Sequence, residues 1–110
     1  MIMLSVDTPT LTNLITTCFN LSMDGRITDA QHGEFLVVGK RLRGCLVNLL
    51  SAQFNDGTQQ VLDANQKLDQ INQLAAQAAQ SLTAATNVLS QLNTLVNVLD
   101  DLLKLASSFH

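Results

Sequence analysis

Tryptophan and tyrosine are missing from this chain, and its only aromatic residues are four phenylalanines. Recognition of bases or sugars by stacking needs exposed aromatic faces, so that mode of binding is not expected. Charge is scarce too. Asp, Glu, Lys and Arg make up 14% of the residues, against roughly 25% in ordinary soluble domains. The net charge of −3 sets up no field that would draw the chain to nucleic acid or an anionic membrane. Cys18 and Cys45 are the only cysteines, too few for a disulfide framework or a four-ligand zinc site. Each falls within an apolar helical pattern, where a small buried hydrophobe is expected. Met1 to Thr10 lacks the basic start and apolar run of a signal peptide. No run of 18 apolar residues occurs, so no ordinary membrane span is expected. A cytoplasmic location follows as the expectation.

What is present is a chain of 110 residues, 46% of them apolar, enough for a single helical domain with one modest core. Asp7-Thr8-Pro9 announces the first helix, with a capping residue followed by Pro where a missing N–H costs little. Leu11, Leu14, Ile15, Cys18 and Phe19 then recur on one face of a 3.6-residue period. Asp24-Gly25 is expected to end it, with Gly25 free to take a positive φ. Thr28 and Gln31 have the spacing of a reciprocal capping box for the second helix. Its apolar face runs Phe35, Val38, Leu42, Cys45, Leu46, Leu49 and Ala52. Gly33, Gly39 and Gly44 each cost about 1 kcal/mol relative to Ala in a helix. A β-hairpin from Phe35–Val38 and Leu42–Val47 is the competing reading, disfavoured because the spacing is helical. Asn55-Asp56-Gly57 is expected to turn the chain.

From Thr58 onward there is neither Gly nor Pro. With Val61 at heptad position a, that position reads Val61, Leu68, Ala75, Leu82, Leu89, Val96 and Leu103. Position d reads Ala64, Ile71, Ala78, Ala85, Leu92, Leu99 and Ala106, and position f is polar throughout. So regular a repeat predicts left-handed coiled-coil packing. Toward the C-terminus Val88, Leu95, Leu102 and Phe109 at g, with Val98 and Leu105 at c, widen the stripe. A face that broad is buried on more than one side. The expected fold is all-α: a helical hairpin followed by one long heptad-patterned helix, forming an oligomeric four-helix-type bundle. The helices are placed at about 9–23, 29–54 and 58–107.

Length carries the oligomer. A continuous last helix spans roughly 75 Å at 1.5 Å per residue, about twice the ~35 Å diameter of a compact domain of this size. The first two helices cover only about half of it. Leu89, Leu92, Leu95, Val96, Leu99, Leu102 and Leu103 are therefore the expected interface residues, covered by another chain. The alternative breaks the helix near Ser81–Asn87 and folds it back into a monomeric four-helix bundle.

Chemistry is hard to find. Asn20, Ser22, Asp24, Gly25, Ile27 and Gln31 fall on positions 1, 3, 5, 6, 8 and 12 of a loop that resembles a calcium loop of the EF-hand or dockerin kind. Only Asp24 brings a carboxylate, so a structural turn without bound calcium is expected. His32 and His110 have no nucleophile or metal partner at a recognisable spacing, and His32-Gly33-Glu34 places its two polar groups on different helix faces. Gly39-Lys40 lacks the rest of a phosphate loop. No catalytic residue, metal site or cofactor is expected. Arg26, Lys40, Arg41 and Arg43 form a basic contact patch for an acidic partner or phosphates, or else a solvated face.

The residues from Gln70 to Leu99 include no charged side chain. Such a helix is either buried in an oligomer or able to enter a membrane, and its many polar residues argue against stable insertion. The expected function is a non-enzymatic protein-interaction module acting as an assembly, adaptor or regulatory protein. Its expected partners are itself and another protein. A membrane-active helical effector is the second reading, and a weak nucleic-acid-binding accessory protein using Arg41 and Arg43 the third.

Overall fold

The computed structural model describes residues 6–52, 54 and 58–105. Four α-helices follow one another: α1 (Thr8–Leu21), α2 (Asp29–Leu49), α3 (Thr58–Ala75) and α4 (Leu82–Leu103). Every regular element among the described residues is helical, a single 3₁₀ turn at Ala78–Gln80 included. The expected turn at Asn55-Asp56-Gly57, and Ala106, Phe109 and His110, lie outside the described residues.

Local signals start the first two helices where the sequence places them. The Asp7 carboxylate accepts from the backbone N–H of Thr10 at 3.1 Å and from its hydroxyl at 2.7 Å. Pro9 falls one place inside the helix start. Asn65 of α3 accepts from the backbone N–H of Asp7 at 2.7 Å, which ties the entry of α1 to the other hairpin. At α2, Thr28 Oγ1 accepts from the backbone N–H of Gln31 at 3.2 Å. The reciprocal half of the capping box is absent. Gln31 instead turns inward and donates from Nε2 to Thr86 Oγ1 at 3.2 Å, joining the starts of α2 and α4. Gly25 does not take a positive φ, because two successive reverse turns, Asp24 N–H to Leu21 O and Ile27 N–H to Asp24 O, redirect the chain without it.

The single long helix of the sequence reading does not form. Helix α3 stops at Ala75, and α4 starts afresh at Leu82 and runs back along it. Ser81 adopts an extended backbone, φ −160° and ψ 161°, and its hydroxyl caps α4 by accepting from Ala84 N–H at 3.0 Å. Magnitudes explain the bend. Seven side chains of α4 (Val88, Leu89, Leu92, Leu95, Val96, Leu99 and Leu102) are buried within the chain, worth very roughly 10–20 kcal/mol as an upper estimate. Breaking the helix forfeits a few backbone hydrogen bonds at about 0.5–1.5 kcal/mol each, and the serine cap returns about 1. Ala75, Ala78 and Ala85, all buried, let the two arms close together at the bend.

Helix α1 packs on α2 and α3, while α4 packs on α2 and α3. Around the bundle the order is therefore α1, α2, α4, α3, and the α2–α3 connection crosses a diagonal. Phe54 in that connection is buried and joins the core. Adjacent ends show the directions: Gln31 meets Thr86 near the starts of α2 and α4, and Cys45 meets Asp100 near their ends. Helices α2 and α4 are thus parallel, each antiparallel to its hairpin partner. The bundle measures 46 × 23 × 19 Å, with one core cluster drawing on all four helices.

This packing corrects the expected interface. Leu89, Leu92, Leu95, Val96, Leu99 and Leu102 are buried by their own chain, and Leu103 packs half-buried against the same core. They need no second chain to cover them. The apolar phase also shifts at the bend. Positions a and d hold the core through α3, but Leu82 at a is 64% exposed, and α4 centres its buried stripe on d and g.

Candidate interaction surface

Helix α2 is the element with two different faces to account for. Phe35, Val38, Leu42, Cys45 and Leu49, at spacings of three and four, face the core. A second stripe at the same spacings runs along the outside: Leu36, Lys40, Arg43, Val47 and Leu50, with Val37 beside it. Val37, Val47 and Leu50 are 57%, 64% and 67% exposed. Gly33 and Gly44 lie on this side with open space where a Cβ would be, so no internal contact requires them. Gly39 differs: an added Cβ would come within 3.1 Å of the Phe19 ring and 3.2 Å of Cys18 Cβ. It marks the close approach of α1 to α2.

The expected basic patch divides. Arg26 sits in the α1–α2 turn and binds Asp24 through Nε at 3.1 Å and Nη2 at 2.8 Å. Lys40, Arg41 and Arg43 lie on α2 beginning about 16 Å further along the helix axis, all exposed. Arg43 covers the Phe19 ring at 5.6 Å from its centroid, a contact that holds the guanidinium over α1. The signal for this surface is in the sequence once the core stripe is removed. Leu36, Val37, Val47 and Leu50 remain, interleaved with the cations.

Other candidate sites close off. The one carboxylate of the calcium-like loop, Asp24, is occupied by Arg26, whose side-chain and backbone hydrogen bonds hold it down at about 2. Its folded value lies below the ordinary 3.8, so its contribution to the turn is whole above that pH and fades as pH falls through about 2. The His32 ring donates from Nε2 to the Asp24 carbonyl, a structural clasp on the same turn. Among the described residues no cluster of three His, Cys, Asp or Glu could hold a metal ion. No helix among them is long and apolar enough to cross a membrane, and the uncharged segment from Gln70 to Leu99 is folded on itself at the bend.

Both thiols are inert by environment. Burial pushes Cys18 up to about 12. Burial, then the Asp100 carboxylate that accepts from the thiol at 3.6 Å, pushes Cys45 up to about 11. At neutral pH each is a protonated thiol, and the thiolate is the nucleophile. Alkylation with iodoacetamide at pH 7.5 (about one unit below a free thiol) should leave the folded chain unlabelled, and label both cysteines in denaturant. Mass spectrometry of the intact chain reads the result.

The chain matches no protein-family model, no curated protein and no solved structure.

Proposed function

We propose that this chain is a non-enzymatic helical interaction module, an adaptor or assembly protein that docks other protein on the outward face of α2. The observation that carries the reading is the exposed stripe of Leu36, Val37, Val47 and Leu50 set among Lys40, Arg41 and Arg43. Aliphatic side chains at both ends of one helix face, Leu36 and Val37 at one and Val47 and Leu50 at the other, with cations between them, suit the docking of a second helix. The rest of the bundle serves as a rigid mount, because the opposite face of α2 is locked into the core. A reducing, cytoplasmic setting fits two buried free thiols.

Affinity capture from the source cell's lysate tests this. The double variant Val47→Glu with Leu50→Glu places carboxylates in the aliphatic C-terminal part of the face at exposed positions, where the fold does not depend on them. It should lose captured protein by roughly tenfold or more, since a buried unpaired charge costs more than the ~1.4 kcal/mol that a decade requires. The control is Gln66→Glu on the exposed side of α3. If the α2 variant retains everything that the wild type captures, this face is not the docking site.

A further inference from the structure

We propose that the outward face of α2 is filled by a second copy of this chain, which presents the acidic groove between its α3 and α4. The proposal rests on the reading of α2 as a docking face and names its occupant.

Charge is distributed unequally between the two hairpins. Residues 1–52 carry Asp7, Asp24, Asp29 and Glu34 against Arg26, Lys40, Arg41 and Arg43, and so balance. Residues 53–110 carry five aspartates against Lys67 and Lys104, which accounts for the whole net charge of −3. The acidic hairpin also has an apolar recess. A groove of about 290 Å³ opens between the start of α3 and the end of α4, with Val98, Leu102 and Leu105 inside it and Asp63 and Asp101 among its walls. Both aspartates are exposed.

The two surfaces are complementary in kind. Val47 and Leu50 of one copy supply aliphatic groups for the recess, and Lys40 and Arg43 on the same stripe supply cations for Asp63 and Asp101. Lys104 reaches Asp101 at 3.6 Å, but both side chains are largely exposed, and such a pair yields readily to a competitor. Pairing α2 with α2 of another copy would instead bring Lys40, Arg41 and Arg43 of both together, with only Asp29 and Glu34 of each helix to offset them, which leaves an excess of positive charge. Like charges oppose that arrangement.

The geometry also decides the kind of assembly. In the order α1, α2, α4, α3, the α3–α4 groove lies on the opposite side of the bundle from the α1–α2 side. Each copy therefore gives one surface and receives the other. Such a head-to-tail contact does not stop at a dimer; it closes into a ring or continues as an open file.

Light scattering on the full chain tests this. At rising concentration in roughly 0.05 M salt, native mass should climb from 11.9 kDa past twice that value. It should fall back in about 0.5 M salt, where exposed charges are screened. Lys40→Glu with Arg43→Glu should remain a single chain, and so should Asp63→Lys with Asp101→Lys. Mixing the two variants should restore association, because each then meets the opposite charge on the other. Circular dichroism should show wild-type helicity throughout, all four positions being exposed. A wild-type mass of one chain at every concentration overturns the proposal, as does association undiminished in both reversals. If the wild type stays single while the α2 variant still loses captured protein in lysate, the docking face stands and this occupant falls.

Discussion

Replacing Leu92 by Asp is expected to unfold the single chain, not to release a folded monomer from an assembly. Leu92 has no exposed surface and lies in the middle of α4, inside the core. The substitution removes about 2–3 kcal/mol of apolar burial and leaves an unpaired carboxylate where water does not reach, for several kcal/mol more. A domain of this length has a total stability on the order of 5–15 kcal/mol. Helicity at 25 °C should therefore collapse, or the melting temperature fall by 20 °C or more (about 4 °C per kcal/mol at the least for a domain near this size). Thr94→Asp is the control: its side chain is exposed and bonds only to the Ser90 carbonyl one turn back. It should change stability by no more than about 0.5 kcal/mol. Circular dichroism melts at two concentrations decide the matter. A Leu92→Asp chain that stays helical and merely loses native mass would place this side chain between chains after all.

That experiment bears on why the apolar stripe of α4 was legible and its covering was not. The heptad pattern says that Leu89, Leu92, Val96 and Leu99 are buried, and they are. It does not say by what. An inter-chain helix and a helix folded back from the same chain leave the same three-and-four spacing. The choice turned on whether the chain breaks between Ala75 and Leu82, a stretch with no Gly and no Pro. Ser81 as a cap is a real local signal, but a serine inside a helix looks no different until the backbone turns. The bend is decided non-locally, by the apolar surface that folding back removes from water. Local signals fared better where a side chain acts on its own neighbours, as Asp7 and Thr28 do at the starts of α1 and α2. Gln31 shows the limit: its spacing fits a capping box, yet its amide spends its hydrogen bond on Thr86, distant in sequence.

The candidate surface was half legible for a similar reason. Lys40, Arg41 and Arg43 stand out as a cluster in any reading of the sequence. Leu36, Val37, Val47 and Leu50 do not, because an apolar residue in an amphipathic helix is assigned to the core by default. Only the packing of α2 against α1 and α4 shows which of its apolar residues are left outside.

The glycines of α2 supply the second large effect, with a sign that changes along one helix. In a helix interior Gly costs about 1 kcal/mol relative to Ala, so filling a glycine stabilises wherever the new Cβ has room. At Gly33 and Gly44 nothing lies within 4 Å of that atom. Gly33→Ala and Gly44→Ala should each raise the melting temperature by about 4–8 °C, the equivalent of roughly 1 kcal/mol in a domain near this size. At Gly39 the same atom would sit 3.1 Å and 3.3 Å from carbons of the Phe19 ring and 3.2 Å from Cys18 Cβ. The Phe19 ring is half-buried and has somewhere to go. Cys18 Cβ is fixed to the backbone of α1 and fully buried, so relief requires the two helices to part. Gly39→Ala should therefore lose its propensity gain and come out destabilising by about 1 kcal/mol. Gly39→Leu should cost about 3 kcal/mol, at the upper end of ordinary overpacking, and lower the melting temperature by roughly 12–24 °C. Thermal melts of the four variants under one set of conditions check the series. A rise for Gly39→Ala equal to the rise at Gly33 and Gly44 would mean that α1 and α2 are not held together at Cys18 and Phe19.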